Sequence, residues 1–386
     1  MATGFDVIVI GLGGMGSATV YQLAQRGQRV LGLEQFTPPH NRGSSHGKSR
    51  IIRQAYFEHP SYVPLVLRAY QLWQQIEQET NQKILFLTGG LMIGPPKSTT
   101  VSGSQRSAQK HGLDYEILDA QQIHARFPLL HPDPSAIALF EAKAGFVRPE
   151  AAICAHLQRA AQLGAALHFE EPVLSWCATD QGVQVTTAKT TYEAARLVIA
   201  PGAWATQLLK LDIPFVVERQ VLYWFEPLRH RELFDCTHLP IYIWETGDGV
   251  QFYGFPADAG SEGVKIAFFR AGEVCTPETI DRTVYPHEIE TMRRYLDQHI
   301  PDLNGQLLST ATCMYTNVPD EHFVIGLHPA YPNVTVASPC SGHGFKFASV
   351  VGEILADLAI NGHTHHPLEL FKPDRFGQNT NLPANS

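Results

Sequence analysis

The sequence predicts an α/β chain organised around a dinucleotide-binding βαβ unit, with a second, smaller α+β unit folded against it. A glycine-rich turn lies between an apolar run and a helical pattern near the N-terminus, and strand-like and helix-like patterns alternate along the rest of the chain. No internal repeat, low-complexity tract or obvious linker interrupts that alternation, so the two units are expected to interleave in sequence.

Phe5 to Ile10 is short, apolar and rich in branched residues, as a buried strand requires. After the glycine turn, Val20, Leu23 and Ala24 repeat at i, i+3 and i+4 within Ser17 to Gln25, and Val30 to Leu33 then ends in Glu34. That is a complete βαβ unit. Pro64 suits a first helical turn, and Leu65, Ala69, Leu72 and Ile76 carry a helix to Thr80. Leu197 to Ala200, Gln251 to Phe255 and Val264 to Phe269 read as strands. Phe347, Val350, Val351, Ile354, Leu355 and Leu358 mark a last helix, stopped by Asn361 and Gly362, and the final ten or so residues read as a loose tail.

Composition narrows the function. The 386 residues are 44% hydrophobic, ample for the cores of two to three domains, and the net charge of -8 comes without a long basic run. Nucleic acid and anionic membranes are therefore not expected partners, and an anionic substrate would need positive charge gathered inside a site. No apolar run is long enough to span a bilayer, the N-terminus lacks a signal-peptide pattern, and the C-terminus lacks Ser-Lys-Leu, so the cytoplasm is the expected location. The six cysteines lack zinc-type spacing and read as free thiols. His363, His365 and His366 follow a helix stop without acidic companions at ligand spacing, so no metal is expected there.

Gly11, Gly13 and Gly16 form Gly-x-Gly-x-x-Gly between the first strand and helix, letting the backbone approach a pyrophosphate at the positive helix N-terminus. Glu34, 34 − 11 = 23 residues after the first glycine, stands where a carboxylate accepts ribose hydroxyls. The motif does not separate FAD from NAD, but the carboxylate disfavours NADP.

Further blocks follow: Gly43 to Tyr56, reading GSSHGKSRIIRQAY; Tyr253-Gly254-Phe255-Pro256; Lys265; Cys313-Met314-Tyr315-Thr316; Pro319-Asp320-Glu321; and Ser341 to Phe347, reading SGHGFKF. In order and spacing, over nearly the whole chain, they resemble the monomeric sarcosine oxidase family, which includes N-methyltryptophan and pipecolate oxidases. The resemblance implies a D-amino-acid-oxidase-like fold. An FAD-binding Rossmann-like domain of the glutathione-reductase type would span 1–85, 145–215 and 310–386, and a substrate domain would span 86–144 and 216–309. It implies FAD bound through a thioether from Cys313, with Ser45, His46, Arg50, Gly342, Gly344 and Lys346 also around the cofactor. Arg53 and Lys346 match the pair of cations that hold the substrate carboxylate; a guanidinium fork and an ammonium suit that task. Lys265 matches the lysine that promotes reaction with O2, a fixed cation opposite developing negative charge. His46 and Arg50 match residues packed against the flavin, and Tyr253 and Tyr315 match the pocket wall.

Phe269 departs from the pattern. It stands where the sarcosine and N-methyltryptophan enzymes carry a histidine, which makes the pocket more apolar. Lys48 replaces a frequent aspartate.

The resemblance thus implies a monomeric oxidase of a small secondary amino acid. Its substrate would be sarcosine or another N-methyl amino acid, or cyclic pipecolate or proline, with O2 reduced to hydrogen peroxide. The alternatives are a flavin dehydrogenase using another electron acceptor, a non-catalytic flavin subunit and a plain NAD-dependent dehydrogenase; Lys265 disfavours the first, the combination of Arg53, Lys265 and Lys346 the second, and Cys313 the third.

Overall fold

The computed structural model describes residues 4–258, 263–270 and 272–376. The tail expected over the last ten or so residues lies outside them.

Val7 to Ile10 are buried on both faces, and Phe5–Ile10 takes the centre of a parallel sheet, where a continuous apolar run belongs. Val30–Leu33 and then Ala166–His168 lie on one side of it, and Thr191–Ile199 and Tyr331–Ser338 on the other, all parallel. Val324–His328 adds an antiparallel edge, and the hairpin Val173–Thr179/Gly182–Thr187 pairs with the first half of Thr191–Ile199.

Helix Gly14–Gln25 starts three residues before the expected Ser17, because the glycines already take helical backbone there. It packs between helices Pro149–Gln162 and Ala348–Asn361, and Val63–Thr80 covers the last of these. A Cβ on Gly352 would lie 2.6 Å from Ala18, so the two helices cross at backbone contact. Gly362, at φ +75°, ends the final helix where the sequence places its stop.

The second sheet has Val216–Phe225 near one edge. Leu307–Asn317 flanks it on one side, and Val264–Phe268 and Val274–Cys275 on the other. Gln251–Gly254, Ile241–Glu245, Gly90–Gly94, Ile137–Glu141 and Glu116–Asp119 continue the sheet, antiparallel except where Ile241–Glu245 meets Gly90–Gly94. Helix Pro286–His299 presses Met292 and Leu296 into a core shared with this sheet. A third, three-stranded sheet joins Arg50–Ile52, Gly145–Val147 and Leu85–Leu87.

Every strand of the first sheet falls within 1–85, 145–215 or 310–386. Leu307–Asn317, which carries Cys313, crosses the 309/310 boundary and pairs in the second sheet.

Candidate active site

The glycine turn is built for close approach. Gly11 has φ +83°, and a Cβ there would meet the Ala200 carbonyl oxygen at 2.5 Å. A Cβ on Gly16 would lie 1.7 Å from the Gly11 oxygen, so this third glycine seats the helix under the turn. Gly13 differs: a Cβ there would meet only Ser45 Oγ, at 3.8 Å, and the residue faces a cleft. Ser45 Oγ accepts the Gly14 amide at 3.2 Å. Glu34, at the cleft wall, accepts Leu12 N at 2.7 Å and Phe36 N at 3.2 Å, tying the second strand to the turn.

From that turn the cleft passes Ser44, Ser45, Arg50 and Cys313 and reaches Arg53, Phe269, Tyr315 and Lys346. Its empty volume of about 1940 Å³, open mouth included, is far more than a small amino acid needs. The residues fit a flavin dinucleotide: the turn is open at Gly13, Ser44 Oγ is buried without a partner, and the Cys313 thiol stands at the wall.

At the far end, Arg53 is 1% exposed. Its Nη2 donates to Glu58 Oε2 at 2.5 Å and its Nη1 to the Ala55 carbonyl at 2.9 Å, and its guanidinium lies about 4 Å from the centres of the Tyr56 and Phe57 rings (4.1 and 4.0 Å). Arg53 Nε has no partner. Lys346, in the short Phe345–Phe347 turn before the final helix, donates to the His343 carbonyl at 2.7 Å and to Tyr56 Oη at 3.4 Å. Burial, with the neighbouring Arg53 charge, pulls the Lys346 ammonium down to about 7. Burial alone would raise Glu58, but Arg53, with His343 and Lys346, holds its carboxyl at about 2. Glu141, 1% exposed, accepts the Gln54 and Ala55 amides at 2.7 and 2.8 Å and fixes the loop that aims Arg53.

Midway along the cleft, Arg50 donates to the Ser44 carbonyl at 2.8 Å and to the Ser49 carbonyl at 2.9 Å, and its Nη2 lies 3.5 Å from Cys313 Sγ. Cys313 is 2% exposed, with its sulfur 3.5 Å from the Ser44 oxygen. Burial pushes the Tyr253 and Tyr315 hydroxyls above their usual range. Phe269 packs against Tyr315 with ring centres 5.9 Å apart, and a Cβ on Gly342, at φ +79°, would collide with both rings. Gly344 lies against the Pro339 carbonyl, which a Cβ would meet at 1.5 Å.

Lys265, His46 and Gly16 are not on the cleft wall. Lys265, 3% exposed, stands behind the 47–49 loop and donates to the carbonyls of Gly47 (2.7 Å) and Ser49 (2.8 Å). Burial, and then the Arg50 charge, lower its ammonium well below the usual lysine range. Burial and Arg50 likewise bring the buried His46 to about 3, so its ring is neutral near pH 7. Lys48 has φ +68°, a backbone that Asn and Asp tolerate better than lysine does, which gives the frequent aspartate at this position a physical basis.

Glu58, Glu141, Glu150 and Tyr56 are the side chains that sequence reasoning missed. Tyr56 closes a block noticed for its cations, whereas Glu58, Glu141 and Glu150 lie outside every such block, and no spacing marks which carboxylate meets which arginine or amide. The C-terminal histidines do acquire acidic neighbours, which their sequence context concealed. Glu353, His365 and His366 bring ligand atoms within 4.8 Å of one another. Arg68 already holds both Glu353 oxygens, at 2.7 and 3.0 Å, so that carboxylate is neutralised without an ion.

Residues 6–358 match the family described as DAO, FAD dependent oxidoreductase. The chain is 58% identical over 379 residues to the monomeric sarcosine oxidase of Streptomyces avermitilis, covering 97% of this chain and 99% of that protein. It is 36% identical over 375 residues to the N-methyl-L-tryptophan oxidase of Escherichia coli, covering 96% and 99%. Among solved structures, the open form of the Tyr258Phe mutant of NikD, an amino acid oxidase essential for nikkomycin biosynthesis, superposes with a TM-score of 0.85 over 99% of both chains. At 24% identity that likeness speaks to the fold.

Proposed function

Since the chain belongs to the FAD-dependent oxidoreductase family with the sarcosine and N-methyltryptophan oxidases, we propose that its cleft oxidises the C–N bond of a small secondary amino acid and reduces O2 to hydrogen peroxide. The observation that carries this reading is a pair of buried cations, Arg53 and Lys346, on the same cleft as the glycine turn and Cys313.

FAD, when bound, takes two electrons from the amino acid and passes them to O2. Cys313 is the residue assigned to hold it covalently, through a thioether. Gly11, Gly13, Glu34 and Ser45 take the dinucleotide end, with Gly16 seating the helix beneath the turn, and Arg50, Gly342 and Gly344 lie around the ring, with His46 off the cleft wall. Arg53 and Lys346 bind the substrate carboxylate and so fix where the amine and its oxidisable carbon lie. Glu58 already occupies Arg53, so a substrate carboxylate must share or displace that pairing. Tyr253, Phe269 and Tyr315 wall the pocket and exclude water. Lys265 supplies the positive charge that stabilises reduction of oxygen, while the neutral His46 adds none. The amino acid loses a hydride equivalent and a proton to become an imine, which water hydrolyses; O2 takes up the two electrons and two protons.

The interleaved segments 1–85, 145–215 and 310–386 are assigned to cofactor binding, and 86–144 and 216–309 to the substrate side. We further expect a cytoplasmic monomer. The relatives' names support the monomer, and no helix among the described residues is long and apolar enough to cross a membrane.

Anaerobic mixing with sarcosine, N-methyltryptophan, pipecolate and proline tests the reading. At least one should bleach the flavin, and air should restore the colour with one hydrogen peroxide formed per imine. Bleaching that only an artificial acceptor reverses would favour the dehydrogenase instead.

A further inference from the structure

Lys265 reaches the site through a short piece of backbone, and one carboxylate holds that piece. In the 47–49 loop, Gly47 (φ +97°) and Lys48 (φ +68°) are consecutive left-handed residues, a conformation that a lysine adopts only when its surroundings enforce it. Lys265 Nζ grips the loop through the Gly47 and Ser49 carbonyls at 2.7 and 2.8 Å. From the opposite side Glu150 Oε1 accepts both the Gly47 and the Lys48 amides, at 2.7 and 3.1 Å. Glu150 lies in the first turn of helix Pro149–Gln162, where the helix dipole favours a carboxylate. The charged and titratable groups acting on Lys265 are Arg50, which opposes its charge, and Glu150 and Cys313, which favour it; His46 stands beside them. Glu150 is the carboxylate among them.

We propose that Glu150 is a positioning residue for the oxygen half of the reaction: by clamping the Gly47 and Lys48 amides it fixes the carbonyls that seat Lys265, and its charge helps that buried lysine stay a cation. The inference rests on the role given to Lys265 above.

Two variants separate the two parts of the effect. Glu150→Gln keeps an oxygen able to accept both amides but loses the charge, and Glu150→Ala loses both. In the flavin-loaded enzyme, the reaction of the reduced form with O2 is followed by stopped flow across pH, alongside reduction by the amino acid and hydrogen exchange of the peptide containing residues 44–52. In Glu150→Ala, exchange of that peptide should rise and reaction with O2 should slow about tenfold or more, with reduction by the amino acid changed little. In Glu150→Gln, exchange should stay near wild type, while the loss of oxygen reactivity at high pH moves to lower pH, since the lysine gives up its proton more readily. If Glu150→Ala fails to fold, the pH shift in Glu150→Gln decides. Wild-type oxygen kinetics and an unmoved pH profile in Glu150→Gln, or in both variants when both fold, would overturn the proposal. A wild-type enzyme that reacts poorly with O2 would instead overturn the oxidase reading on which it rests.

Discussion

Lys346 and Arg53 meet around Tyr56: the guanidinium lies 4.1 Å from that ring's centre and the ammonium 5.3 Å. Lys346 loses its proton near pH 7 in the free protein, because burial and the Arg53 charge both disfavour a second cation beside it. The sign for binding follows. Below about 7 both cations meet a carboxylate, and as pH rises through that value one of them is lost. The affinity of a carboxylate without an amine, such as propionate, should therefore weaken above about pH 7 by up to tenfold per pH unit. Lys346→Met should bind it weakly with a flat profile, and a wild-type profile that is itself flat from pH 6 to 9 would remove Lys346 from the carboxylate site. At this scale the sequence disclosed cations better than their partners. Arg53 and Lys346 sit in distinctive blocks, while Glu58 and Glu141 are specified only by how the 53–58 loop folds back.

Among the elements, the first strand, the glycine turn and the last helix were the most legible, because each couples a hydrophobic period to a residue with a fixed backbone task. Gly362 ends the final helix at φ +75°, and Gly11 makes the turn at φ +83°. The helix crossing was not legible. Gly352 is one small residue in an apolar stretch, and nothing in its neighbours tells that Ala18 will lie against it. Gly352→Ala places a methyl 2.6 Å from Ala18 and should cost about 1–3 kcal/mol by forcing the helices apart. Thermal melting should show this loss with the flavin content retained, and an unchanged melting point would mean that the helices shift freely there. Lys265 was readable only in part. A lysine in the apolar strand Val264–Phe268 signals an inward cation, but not that two carbonyls of a left-handed loop receive it.

At the scale of the whole molecule, interleaving brings the site together. The glycine turn comes from the first sheet, Arg50 from the small third sheet and Cys313 from the second, so residues more than 260 positions apart in sequence meet, as Arg50 and Cys313 do. Alternating helix and strand patterns without a linker pointed to such interleaving. They did not indicate that the strand carrying Cys313 would pair for its whole length with Val216–Phe225, because cross-strand register depends on partners distant in sequence. The reading proposed for this shared cleft is a flavin joined to Cys313, within reach of the substrate cations. Its most direct test is acid precipitation of the purified yellow protein, wild type beside Cys313→Ala. Colour that stays with the wild-type pellet and leaves with the variant is the predicted result; colour released freely from the wild type would contradict the role of Cys313 and reopen the choice of cofactor chemistry at this site.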